Sequence, residues 1–187
     1  MIKGDKLALR AIEPEDAQRC HRWINDPEVT QFLTMRFPIS MLAERKWTER
    51  EQDYTREFNL AIETLEGEHI GNCGMHRVDT VNSTAELGIL IGEKSFWGQG
   101  YGTDAMLTLC AFGFCQMNLN RISLHVYDFN TRGIRCYEKC GFQHEGKLRE
   151  ALFRHGKYCD ILVMSILADE YKAMWPQRWG SGLAQEG

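Results

Sequence analysis

The chain has 187 residues, of which 43% are apolar and 26% charged, and its formal net charge at pH 7 is -4. That length and mixture suit a single domain with its own core, expected over residues 1–173, with residues 174–187 trailing off as a mobile tail. No apolar run is long enough to span a bilayer and no secretory segment opens the chain. With the acidic balance, this leads us to expect a cytoplasmic protein without membrane or nucleic-acid partners.

Lys6 to Ile12 alternates in polarity and predicts a first strand. Glu13-Pro14-Glu15-Asp16 opens a helix, with Pro in the first turn and acids near the free N–H groups, and the helix should stop at Asn25-Asp26-Pro27. Ser40 suits the N-cap of a second helix, Met41 to about Gln52. Glu57 to Glu63 and His69 to Val78 read as strands around the turn Leu65-Glu66-Gly67-Glu68, and Thr84 to Ile91 follows as another. Thr103 to Met117 has a strongly apolar helical pattern. Arg121 to Tyr127 is a strand, Asn130 to Cys140 a helix that Gly141 ends, Phe142 to Arg154 a strand with a turn near Gly146, and Tyr158 to Leu167 the last strand. The order predicts an α/β (α+β) protein built on a mainly antiparallel sheet, without regular βαβ alternation.

Seven cysteines, an odd number without a C-x-x-C, argue against a disulfide framework. Cys136 and Cys140 stand four apart with His144 nearby, but the spacing is loose for zinc and a fourth ligand is missing. Buried thiols and no metal are expected.

Gly98, Gly100 and Gly102 sit between the strand ending at Ile91 and the apolar helix. A strand, a glycine turn and a helix N-terminus in that order offer free N–H groups and a favourable dipole to an anion such as a phosphate. A P-loop would need Lys-Ser or Lys-Thr after the last glycine, where Thr103-Asp104 stands instead. A dinucleotide turn would need G-x-G-x-x-G, and the spacing here is G-x-G-x-G. By these residues alone, the turn either binds some other phosphate ligand or only caps a helix.

The segment Trp97-Gly98-Gln99-Gly100-Tyr101-Gly102 resembles the acyl-CoA turn of the GCN5-related N-acetyltransferase (GNAT) superfamily, Gln/Arg-x-x-Gly-x-Gly/Ala, with Trp97 departing from the usual Gln or Arg. Asn130-x-x-Gly133 with Tyr137-Glu138-Lys139-Cys140-Gly141-Phe142 is similar to the family's downstream segment. The ending GKYCDILVMSIL resembles the branch that holds ribosomal-protein N-terminal acetyltransferases and spermidine acetyltransferases. The resemblance covers Leu7 to Tyr171. It implies a mostly antiparallel sheet of about seven strands with one splayed strand pair and flanking helices.

It also implies transfer of an acetyl group from acetyl-CoA, the cosubstrate, to a primary amine by direct attack in a ternary complex. Main-chain groups of Gln99, Gly100, Tyr101, Gly102 and Thr103 would hold the pyrophosphate, and Ile89, Leu90 and Ile91 with Asn130 the pantetheine arm. Tyr137 would protonate the leaving thiolate, and Glu86 would serve as base, with Asp160 in reserve and His76 and His125 as further choices. The acceptor could be a protein N-terminus, a polyamine or another small amine, for which Glu44, Glu49, Glu51 and Asp53 would suit a cation. Arg36, Arg77 and Arg154 would instead suit a nucleotide-linked amino sugar. A non-catalytic acyl-CoA-binding module is the alternative, and the resemblance allows a homodimer.

Overall fold

A computed structural model describes residues 1–180. Among these residues, eight strands form a single sheet in the order β1-β2-β3-β4-β5-β6-β8-β7. They are β1 (Ile2–Lys3), β2 (Leu7–Ala11), β3 (Phe58–Thr64), β4 (His69–Asp79), β5 (Thr84–Ile91), β6 (Arg121–Tyr127), β7 (Gln143–Arg154) and β8 (Lys157–Leu167). Each neighbouring pair is antiparallel except β5 and β6, which run parallel. The short β1, which the sequence pattern did not announce, brings the count above the expected seven.

Among the described residues, six helices flank the sheet: α1 (Ala17–Ile24), α2 (Pro27–Thr30), α3 (Met41–Thr48), α4 (Tyr101–Gln116), α5 (Thr131–Cys140) and α6 (Ala168–Met174). The apolar α4 lies in the main core, where Ala105, Met106, Leu109 and Cys110 are fully buried. It approaches the sheet so closely that a Cβ on Gly113 would stand 2.6 Å from Met75 Cε. Elsewhere on the sheet, Trp23 of α1 is buried against Gly92 and meets the His69 ring edge-on at 4.8 Å between centroids.

Several boundaries depart from the sequence reading for visible reasons. Asp26 accepts a hydrogen bond from the Glu28 N–H at 2.9 Å and Pro27 takes the first helical position, so a helical turn restarts where a stop was expected. α3 ends at Thr48 rather than Gln52, because the Gln52 side chain bonds both main-chain groups of Asn59 on β3. β7 carries bulges between His144 and Gly146 and between Leu148 and Leu152 in place of a turn near Gly146. α6 has no counterpart in the sequence reading; Glu170 reaches back to the Leu167 N–H at 2.9 Å and starts it.

The first part of the segment expected as a mobile tail makes defined contacts. Trp175 donates to the Cys140 carbonyl at 3.2 Å, residues Pro176–Arg178 form a 3-10 turn, and Trp179 packs on the core. The rest of that segment, 181–187, lies outside the described residues. Among the described residues, no helix is long and apolar enough to cross a membrane, and all seven cysteines are free.

Candidate active site

The parallel contact of β5 with β6 is short. Thr84 pairs with Arg121, Ala85 with Ile122 and Glu86 with Ser123, and beyond Glu86 the two strands part. The Gly92 N–H bonds the Ile70 carbonyl at 2.9 Å, and the alternation of an antiparallel ladder then assigns the main-chain groups of Leu90 to Asn72 on β4. Those of Ile89 and Ile91 face the gap. Of the three strand residues expected to hold the pantetheine arm, Leu90 therefore turns its backbone away from the gap and offers only its side chain.

A cavity of about 1190 Å³ occupies this gap and runs from the glycine turn to Glu86 and His125. Gly100 is the N-cap of α4 with φ 89°, a left-handed conformation that glycine adopts without a Cβ clash. Gly100, Gly102 and Thr103 line the cavity, whereas Gln99 and Tyr101 do not. The Gln99 side chain folds back onto the Ser95 carbonyl, and Tyr101 stacks edge-on to Phe96 at 5.2 Å. Both can serve an anion only through the backbone. Lys6 donates to the Gln99 carbonyl at 3.1 Å and so steadies the turn from outside.

The cationic side chains of this end come from α5. Arg132, Arg135 and Lys139 line the cavity, at a helical spacing that puts them on one face of α5. That spacing is legible in the sequence, although no motif marks it as part of a site. Trp97 braces the turn: its indole donates to the Ile91 carbonyl at 2.8 Å, and the Arg132 guanidinium lies 4.0 Å from the centre of its ring. The Cys136 thiol, 3.4 Å from the Thr103 hydroxyl, is drawn down by its hydrogen bond with Cys140, then by Thr103, Lys139 and Arg132. Among the described residues, no cluster of His, Cys, Asp and Glu could hold a metal ion.

Asn130 is the N-cap of α5, accepting from the Gly133 N–H at 2.9 Å, and it also lines the cavity. Tyr137 lines it as well, and burial pushes its phenol well above the ordinary tyrosine range. A phenol held protonated at neutral pH is a donor rather than a base.

At the other end, Glu86 accepts from Arg77 at 2.8 Å and faces His125 Nδ1 at 3.0 Å. Asp160, the reserve base, does not line the cavity; Lys147 at 2.7 Å and the Glu150 N–H hold its carboxyl below the usual range. Glu44, Glu49, Glu51 and Asp53 do not line it either, and Glu44 is buried beside His21, with its carboxyl pushed up by burial. The wall here is the segment 32–36. Arg154, at the end of β7, donates to the carbonyl of Met35 at 3.2 Å and to that of Leu33, pinning this wall to the hairpin.

A splayed parallel strand pair, a glycine turn at a helix N-terminus and a cationic rim give the cavity main-chain donors along one wall and an anion-binding end. Residues 6–143 match the acetyltransferase (GNAT) domain family, and the chain belongs to it as an acetyl-CoA-dependent N-acetyltransferase. It is 32% identical over 172 residues to the uncharacterized N-acetyltransferase p20 of Bacillus licheniformis, covering 89% of this chain and 96% of that protein. It is 27% identical to the spermidine N(1)-acetyltransferase of Vibrio cholerae serotype O1, over 90% of this chain and 96% of that one. The structure of spermidine N-acetyltransferase from Vibrio cholerae in complex with CoA and spermine superposes with a TM-score of 0.82 at 26% identity. That match covers 89% of this chain and 98% of the other.

Proposed function

We propose that this enzyme acetylates a primary amine by direct attack on acetyl-CoA in a ternary complex. The observation that carries the reading is the parting of β5 and β6 beyond Glu86 and Ser123, which leaves the main chain of Ile89 and the N–H of Ile91 open onto the cavity. A pantetheine arm can pair with that edge as a strand would, and the same free N–H groups can stabilise the oxyanion of the tetrahedral adduct. The N–H groups of Gly100 to Thr103 take the pyrophosphate and the stripe of Arg132, Arg135 and Lys139 supplies countercharge. Asn130 orients the arm, Tyr137 protonates the departing thiolate, and Glu86 stands where the amine must lose its proton.

The acceptor end restricts the carrier of the amine. Glu86 is the one carboxylate among the described residues that line the cavity, it is already paired, and Arg36 and Arg77 line the same region. A polyamine would bring several ammonium groups to a single shared carboxylate. The charge favours a neutral or acidic carrier, such as a peptide N-terminus or an amine bearing an acidic group. The polyamine reading is supported by the name of the Vibrio cholerae relative.

An amine panel with acetyl-CoA, followed by free thiol, tests both levels. Peptide N-termini and acidic amines should outpace spermidine, and the opposite ranking would install the polyamine. Binding of acetyl-CoA without thiol release on any amine would leave a non-catalytic module.

A further inference from the structure

The fork between β5 and β6 brings three strands together around one carboxylate. Glu86 stands opposite His76 on β4 and opposite Ser123 on β6, and His125 lies two residues beyond Ser123, so the three side chains share a face of the sheet. Glu86 Oε2 accepts from Arg77 at 2.8 Å, while Oε1 is 3.0 Å from His125 Nδ1. Arg77 joins them because β4 is irregular between His76 and Asp79, where Arg77 takes φ 50°.

With both oxygens engaged, one by Arg77 and one by His125, the Glu86 carboxylate has no free oxygen aimed at an incoming ammonium. The imidazole beside it is in the opposite position. The carboxylate holds Nδ1 as an N–H donor, which leaves the lone pair on Nε2, and no described residue takes that nitrogen. His125 lines the cavity with Glu86. The groups around it are Glu86 and Arg77 on the β4–β5 side and the apolar Val163 opposite it on β8. His76 also lines the cavity, but its Nδ1 lies toward Glu57, at 3.7 Å.

We infer that His125 is the general base of the reaction and Glu86 its positioning residue, a reading that rests on the acetyl transfer proposed above. His125 Nε2 takes one proton from the ammonium of the acceptor. The freed nitrogen pair forms the C–N bond at the thioester carbonyl, whose π electrons move to oxygen. Collapse of the adduct breaks the C–S bond and releases the second amine proton to solvent. The thiolate takes a proton from Tyr137, which solvent restores, and the proton on His125 returns to water. The sum is amide, free thiol and one proton.

The test uses the full chain, an amine that the panel has identified and saturating acetyl-CoA, with kcat/KM for the amine followed from about pH 5 to 10. His125→Ala should lose at least about 100-fold in rate, lose the acid limb of the profile and recover rate with added imidazole. Its acetyl-CoA affinity by calorimetry should be unchanged. His125→Asn should show the same loss and guards against a folding defect. Glu86→Gln should keep the limb and lower kcat about 10-fold with little change in KM, because the imidazole loses the carboxylate that orients it. A wild-type profile in both His125 variants, or a limb abolished in Glu86→Gln alone, would overturn the assignment and leave acetyl transfer standing. Wild-type protein that binds acetyl-CoA yet acetylates no amine would overturn both.

Discussion

Asp104 and Arg178, 74 positions apart, meet at 2.6 Å where the first turn of α4 touches the last turn before Trp179. The Asp104 carboxylate also accepts from the N–H groups of Lys6 at 2.8 Å and Asp5 at 3.2 Å. Both ends of the described chain are thus fastened to the helix whose N-terminus forms the glycine turn. With Asp104 buried and Arg178 nearly so, the pair is shielded from solvent.

Arg178→Ala leaves a buried carboxylate with main-chain donors but no countercharge. A loss of about 3 kcal/mol is expected, at the low end for a broken buried pair, and urea unfolding measures it. Because Asp104 follows Thr103 directly, the KM for acetyl-CoA should rise while kcat stays close to the wild-type value. An unchanged KM would show that the fastening serves stability alone.

Gly100→Val places a β-branched residue at φ 89°. A Cβ there has room, its nearest neighbour being Lys6 Nζ at 3.8 Å, so the penalty is backbone strain of about 1–3 kcal/mol rather than collision. The turn should relax by moving its N–H groups, and acetyl-CoA binding by calorimetry should fall below detection while the circular dichroism spectrum persists. Retained affinity would remove the pyrophosphate from this turn.

Tyr137→Phe keeps the ring and removes the proton. The expected result is a fall in kcat of about 100-fold with little change in acetyl-CoA affinity. Steady-state thiol release equal to that of wild type would take Tyr137 out of the mechanism.

Asp16 sets a pH dependence of stability. Burial alone would raise its carboxyl, but Arg10 at 2.7 and 2.9 Å, His69 at 3.0 Å and the Glu13 N–H at 2.9 Å outweigh it and hold the group well below the carboxylate range. A folded-state value below the unfolded value near 4 means stability that is present above about pH 4 and lost as pH falls toward the folded value. Asp16→Asn should therefore melt earlier than wild type at pH 7. The gap should narrow at about pH 3 or below, and an equal gap at both would contradict the linkage.

Local pattern carried much of this protein. The apolar period of α4, the caps Ser40 and Asn130, the stop at Gly141 and the glycine turn each depend on residues a few positions apart, so they can be read along the chain. The two motifs around Gly100 and Tyr137 carried the family for the same reason. What the sequence could not display are pairings set by register and packing. His125 meets Glu86 across 39 positions because β6 runs parallel to β5 for only a short contact, and Arg77 reaches the same carboxylate through an irregular β4. Arg154 closes the cavity wall by bonding carbonyls more than a hundred positions away. The resemblance of two motifs implied acetyl-CoA as the donor, whereas which side chains gather at the Glu86 end of the cavity was decided by how the strands part, a property of the assembled sheet and not of any one segment.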